Sequence, residues 1–174
     1  KETAGRESTE KARGKNLMAA PLVSIVVPTL NCDKFLRECV ASIVQQSYTN
    51  WEIIAVDGGS TDQTLGLLQI YACAYPNKIR IFKKEKKGEP NAIDEGMKET
   101  KGEILAWLDA DDTYEIDTLE KVVQAFVSNK DAAWLYGKCK IINESEEEIR
   151  KGITRIKELW GGRHYAYWKL QLAD

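Results

Sequence analysis

A regular alternation of short apolar runs with amphipathic stretches most restricts how this chain can fold. Residues 23–27, 51–56, 79–82 and 104–108 are short apolar runs typical of buried strands. Between them, apolar residues recur at the three- and four-residue spacing of a helix. Strands separated by helices predict βαβ crossovers with right-handed connections. We therefore predict an α/β fold with a mostly parallel central sheet.

Three local features sharpen this prediction. Pro28 follows the first apolar run and cannot donate to a strand ladder, so we expect the strand to end before it. Asp33 precedes the first helical stretch and is a predicted N-cap. The apolar residues within 133–142 predict a further strand or hairpin.

Charge and length exclude several classes of protein. The chain has 174 residues and a net charge of −2, from 25 basic and 27 acidic residues, so we expect no nucleic-acid partner. No apolar run approaches the roughly 20 residues of a membrane-spanning helix. Residues 1–20 are polar and lack a signal-peptide core, which predicts a flexible tail. An anionic ligand would therefore have to be bound locally.

Cysteine and histidine usage gives no metal or redox motif. Cys32, Cys39, Cys73 and Cys139 match no zinc spacing and no CxxC motif, so we expect reduced, buried thiols in a cytosolic protein. His164 is the single histidine and lies next to aromatic residues, far from any candidate nucleophile. These residues argue against a histidine-based triad.

Polar residues follow three of the four predicted strands. Thr29 and Asn31 follow the first strand, Asp57 follows the second, and the acidic stretch 109–112 follows the fourth. Parallel strands end at one edge of a sheet, and ligands bind outside that edge. The three clusters are therefore predicted to meet in one site although they are far apart in sequence.

Each cluster has a chemical use and a structural alternative. Asp57 can accept hydrogen bonds from a base or a ribose, and the following Gly58 and Gly59 allow close backbone approach. Ser60 and Asp62 are predicted to cap the next helix instead of contacting a ligand.

The acidic stretch suits a cation. Asp109, Asp111 and Asp112 offer the oxygen ligands of a hard divalent ion, and they repel one another unless a cation offsets their charge. The alternative is a helix cap or a solvated acidic turn.

Four motifs in order carry a family resemblance: SIVVPTLN at 24–31, IAVDGGSTD at 54–62, the stretch 88–96, and WLDADD at 107–112. Together they resemble the nucleotide-sugar half of family 2 inverting glycosyltransferases. The resemblance implies the GT-A fold, a Rossmann-like three-layer α/β/α sandwich. It places the donor-binding domain at 21–143 and the start of an acceptor-side region at 144–174, and we expect that region to be incomplete.

The resemblance also implies the site residues. Gly58 stands where the family often has a second aspartate. The acidic stretch matches the DXD motif that orients the ribose and holds Mg²⁺ or Mn²⁺ on the diphosphate. The implied nucleotide-sugar-binding residues are Pro28, Thr29, Asn31, Asp57, Gly88, Asn91, Asp94, Asp109, Ala110 and Asp111, and the implied metal ligands are Asp109, Asp111 and Asp112.

The implied reaction moves a sugar from a nucleoside-diphosphate sugar to a hydroxyl of a sugar or glycolipid acceptor. We expect the donor to be a UDP-sugar. Inversion requires a carboxylate that deprotonates this hydroxyl. No residue is assigned to that role, because the family supplies it from the acceptor side. The resemblance places the protein in the cytoplasm, at the inner face of the membrane, and leaves open whether it forms a homo-oligomer.

Two other functions fit the same residues. A donor-half fragment could bind the nucleotide without turnover. Residues 109–113 also match the DxDx(T/V) signature of aspartyl-phosphate phosphatases, in which the first aspartate is the nucleophile. In those enzymes the motif follows the first strand, whereas here it follows the fourth.

Overall fold

The computed structural model describes residues 20–84, 89–129, 131–137 and 140, with only the backbone of 89 and 90. Strands and helices alternate throughout this part of the chain. In order, they are β1 (Val23–Thr29), α1 (Leu36–Val44), β2 (Trp51–Asp57), α2 (Thr64–Ala74), β3 (Ile79–Lys83), α3 (Glu89–Lys98), β4 (Ile104–Trp107) and α4 (Thr118–Ser128).

The four strands form one parallel sheet in the order β3-β2-β1-β4. Alternate residues of β1 pack on opposite faces: Ile25 belongs to the larger core with α1, α2 and α4, and Val26 belongs to the smaller core against α3. Helices therefore cover both faces of the sheet. The predicted three-layer α/β fold with a parallel sheet is confirmed.

The strand order places a topological switch point at the carboxyl ends of β1 and β4. From β1 the chain builds outwards through β2 and β3, and then returns by α3 to place β4 on the other side of β1. The loops after β1 and β4 consequently diverge, and ligands bind in such crevices. This is the edge at which the sequence places its polar clusters.

The first strand is longer than predicted because Pro28 lies inside it. Pro28 is buried and pairs in register with Val56 of β2. The backbone groups of every second residue in a strand face the same neighbouring strand. The carbonyls of Leu22 and Val26 accept hydrogen bonds from the β4 side, so the N–H that Pro28 lacks would also face β4. The ladder between β1 and β4 stops just before this point, at the pair of Val26 and Trp107, whereas pairing with β2 continues through Pro28.

The predicted N-cap of α1 is wrong. Phe35 occupies the N-cap position without a side-chain cap, and the Cys32 carbonyl accepts the N–H groups of Phe35 and Leu36. The carboxylate of Asp33 instead accepts the N–H of Gln63, at 3.3 Å. A tertiary contact thus takes the side chain that the local pattern assigned to the helix.

Two further expectations are wrong, and several others concern residues outside the described part of the chain. Residues 133–137 form no strand, and Cys73 is exposed, because it lies on the outer side of α2. The tail 1–19, Cys139, His164 and the region 144–174 are outside the part that the structure describes. Within the described part, none of the helices has the length and apolarity needed to span a bilayer.

Candidate functional site

The loops after β1 and β2 are joined by direct hydrogen bonds. Oδ1 of Asn31 accepts the N–H of Thr61 at 2.8 Å, and the N–H of Asn31 is donated to Oγ of Ser60 at 3.0 Å. Asn31 holds a left-handed backbone conformation, with φ of 50°, that asparagine tolerates well. The amide group of this exposed residue thereby lies at the carboxyl edge of the sheet.

Asp57 closes the second loop on itself. Its side chain is buried, and Oδ2 accepts the N–H groups of Gly59 and Ser60, both at 3.1 Å. Oδ1 accepts the hydroxyl of Ser60 at 2.5 Å, with the hydroxyl of Thr29 more distant at 3.5 Å. The carboxylate predicted to receive a base or ribose therefore also organises the turn that follows it.

Of the two residues predicted to cap the next helix, Asp62 bonds the start of that helix and Ser60 does not. Asp62 accepts the N–H of Thr64, the first residue of α2, at 2.9 Å, as expected of a residue at a helix start. Burial opposes the ionised form of Asp62, but hydrogen bonds from Thr64 and from the N–H of Asp33 outweigh it and lower the pKa of Asp62. Ser60 does not cap the helix: it ties Asp57 to Asn31.

The acidic stretch forms a turn after β4, the other neighbour of β1. Asp109 and Ala110 are buried, Asp112 is half-buried and Asp111 is exposed. The N–H of Asp112 is donated to the carbonyl of Asp109 at 2.9 Å, which closes the turn. We call residues 109–112 the aspartate loop. Its most exposed carboxylate is that of Asp111.

Two buried polar groups lie beneath the aspartate loop, and the charge of the loop contributes to raising the pKa of each. Burial, followed by the charges of Cys32, Asp112, Asp111 and Asp109, raises the pKa of the Cys39 thiol. Burial likewise raises the pKa of Tyr114, with smaller contributions from Cys39, Asp109 and Asp112. Both groups therefore stay neutral beneath the loop.

The predicted contribution of α3 is only partly described. Gly88 lies outside the described residues, whereas Asn91 and Asp94 are exposed on the helix. Asp94 forms an ion pair with Lys98 at 2.8 Å, one helical turn further on. The structure thus shows Asp94 in a surface ion pair.

The side chains that connect these loops to the scaffold were not predicted from the sequence. Ser42 and Gln46 bond to the segment that follows the aspartate loop, and Tyr114 lies within that segment. The available signal was weak: Ser42 and Gln46 are polar residues four positions apart, and their spacing places them on one side of the helical stretch. Their partners lie about 70 residues away, which no local pattern reveals.

Comparison with known proteins agrees with this geometry. The family model described as Glycosyl transferase family 2 matches residues 24–172. An uncharacterized glycosyltransferase of Rickettsia felis is 37% identical over 144 residues, which are 82% of this chain and 23% of that protein. The PGL/p-HBAD biosynthesis glycosyltransferase of Mycobacterium bovis is 37% identical over 121 residues, 69% of this chain and 47% of that protein. The chain thus spans less than half the length of either relative.

A solved structure gives the same fold. The crystal structure of S. aureus TarS 1-349 in complex with UDP-GlcNAc superposes with a TM-score of 0.64 at 26% identity, covering 74% of this chain and 37% of that one. Family model, relatives and fold agree, so this chain belongs to glycosyl transferase family 2.

Proposed function

We propose that this chain binds the nucleoside diphosphate of a sugar donor at the carboxyl edge of its sheet and takes part in metal-assisted transfer of the sugar, with inversion, to a hydroxyl acceptor. One observation carries the proposal: the joined loops after β1 and β2 lie beside the aspartate loop at the switch point. Membership of glycosyl transferase family 2 and the UDP-GlcNAc complex of TarS support it.

The base and ribose of the donor are assigned to the loops after β1 and β2. The side-chain oxygen of Asn31 is held by Thr61, so its NH₂ group is the donor available to a base carbonyl. Asp57 offers carboxylate oxygens to a base N–H or a ribose hydroxyl, and Thr29 packs against it. UDP is the first nucleotide to test, because TarS is solved with UDP-GlcNAc.

The aspartate loop is assigned to the diphosphate and its cation. Among the described residues, no three His, Cys, Asp or Glu side chains are grouped as a ready metal site. This arrangement fits Mg²⁺ or Mn²⁺ with a diphosphate, because Mg²⁺ is usually held by one or two carboxylates plus substrate phosphates and water. Asp109, Asp111 and Asp112 supply such carboxylates, and a bound cation would offset the charge that develops on the leaving diphosphate.

Calorimetric titration of the 174-residue chain with UDP tests the donor half of this proposal. We expect binding in the presence of Mn²⁺ that is lost with EDTA and lost in Asp111→Ala, because the variant lacks the most exposed carboxylate of the loop. Asp131→Ala is the matched control, since Asp131 is an exposed acid just past the far end of α4. Equal affinity with and without EDTA would refute the metal-assisted site.

Turnover separates the candidate functions. Release of nucleoside diphosphate from a panel of sugar nucleotides, with hydroxyl acceptors present, is the result expected of a transferase. UDP binding without any release would leave a binding-only donor half. Phosphate release from small phosphoesters would instead favour the phosphatase alternative.

A further inference from the structure

Side chains of α1 form hydrogen bonds to the aspartate loop and to the segment that follows it. The thiol of Cys39 donates to the carbonyl of Asp109 at 3.6 Å. Oγ of Ser42 accepts the N–H of Tyr114 at 3.0 Å while it donates to the Cys39 carbonyl at 2.7 Å. The loop is therefore fixed to a helix that precedes it by about 70 residues.

Gln46 forms further hydrogen bonds that connect this region to the start of α4. Its Nε2 donates to the carbonyls of Glu115 at 2.6 Å and Ser42 at 2.9 Å, and its Oε1 accepts the N–H of Leu119 at 2.9 Å. Leu119 lies in the first turn of α4, whose N-cap Asp117 makes no side-chain cap. Only a neutral amide can donate to two carbonyls and accept from an N–H at once.

Tyr114 holds the loop from its other end. Its hydroxyl donates to the carbonyl of Trp107, the last residue of β4, at 3.1 Å. The ring is buried, so this bond is shielded from water. The backbone that enters the aspartate loop and the backbone that leaves it are thus tied together through one side chain.

We infer that Ser42, Gln46 and Tyr114 are positioning residues that hold the aspartate loop in the arrangement needed for the cation and the diphosphate. The inference rests on the proposed function. These side chains bond the backbone on either side of the loop, which leaves the carboxylate of Asp111 exposed for the ligand. Partners that orient the ligands of a metal typically change its affinity by 10- to 100-fold when they are removed.

Mn²⁺ binding in the presence of UDP, followed by electron paramagnetic resonance, tests the inference on the 174-residue chain. Tyr114→Phe deletes one hydroxyl without changing the ring, and Ser42→Ala deletes the other. We expect each variant to weaken Mn²⁺–UDP binding by about 10-fold. Ser42→Thr, which keeps a hydroxyl able to bond a preceding carbonyl in a helix, restores the affinity.

A matched control separates positioning from a general loss of stability. Ser24→Ala also deletes a buried hydroxyl that bonds a backbone N–H, that of Gly102, but at the opposite edge of the sheet. We expect it to lower the melting temperature while leaving Mn²⁺–UDP affinity unchanged. If one loop variant fails to fold, the other carries the test.

The outcomes distinguish this inference from the proposed function. Wild-type affinity in Ser42→Ala and Tyr114→Phe, or an equal loss in Ser24→Ala, overturns the positioning role and leaves the proposed function intact. Absence of Mn²⁺–UDP binding in the wild-type chain overturns the proposed function, and the inference with it.

Discussion

The carboxylate of Asp57 shows how one residue of the site serves the fold before any ligand arrives. Its exposed fraction is 2%, and its two oxygens accept two backbone N–H groups and a hydroxyl from the next three residues. Gly59 in this turn has a φ of 90°, a conformation that favours glycine. The DGGS sequence is thus a turn that is held by its own hydrogen bonds at the carboxyl end of β2.

Replacing Asp57 by Asn tests this structural role. The variant keeps one acceptor oxygen and turns the other into an NH₂ group, which then faces donors such as the N–H groups of Gly59 and Ser60. We expect a loss of about 1–3 kcal/mol in the free energy of unfolding, the usual cost of buried unsatisfied donors, measured by urea denaturation. Asp94→Asn, in a surface ion pair, is the control and should leave the midpoint unchanged. An unchanged midpoint for Asp57→Asn would contradict the turn's role.

At the scale of elements, α3 packs on the sheet through a glycine. A Cβ atom at Gly96 would lie 2.4 Å from Cγ1 of Val26 and 3.0 Å from Cγ2 of Val56. The helix backbone consequently approaches β1 and β2 more closely than any other residue would allow.

Gly96→Ala should therefore destabilise the fold although alanine is the better helix former. Overpacking of a well-packed core costs about 1–3 kcal/mol, which exceeds the gain of about 1 kcal/mol in helix propensity. Gly66→Ala in α2 is the matched control, because its Cβ would meet only Oε1 of Gln63 at 4.0 Å. We expect Gly66→Ala to be neutral or stabilising in thermal unfolding. A stable Gly96→Ala would show that α3 can shift away from the sheet.

Element boundaries also show where prediction from the sequence works and where it stops. The buried runs of β1 and β2 were predictable because strands covered on both faces are mostly apolar. The extent of β1 was not, since Pro28 and Thr29 belong to the strand through their pairing with β2. The role of Asp33 likewise depends on Gln63 of another loop. The three loops of the site could be predicted from topology, whereas the supports beneath them could not.

At the scale of the whole molecule, the two edges of the sheet are built differently. The carboxyl edge exposes Asn31 and Asp111, whereas the opposite edge is closed by a buried network around Glu52. Oε1 of Glu52 accepts the hydroxyl of Ser24 at 2.6 Å and the N–H of Lys101 at 2.8 Å, and Oε2 accepts from Arg80 at 3.1 Å. This network ties β1, β2 and β3 to the segment before β4, whereas the opposite edge carries the exposed loops of the candidate site.

The Glu52 network predicts a specific acid sensitivity. Burial opposes the charge of Glu52, but the hydrogen bonds from Ser24, Lys101 and Arg80 outweigh it and hold the pKa of Glu52 below its ordinary value near 4.5. Because the folded state binds the proton less readily than the unfolded state, the stabilisation is complete above that value and is lost as the pH falls through the lower folded pKa.

Glu52→Gln should therefore lower the free energy of unfolding at pH 7 by about 1–3 kcal/mol and flatten its decline below pH 4.5. Urea denaturation from pH 3 to 7 measures both effects, with Glu38→Gln on the exposed side of α1 as control. Parallel pH curves for wild type and Glu52→Gln would show that this carboxylate does not carry the acid sensitivity.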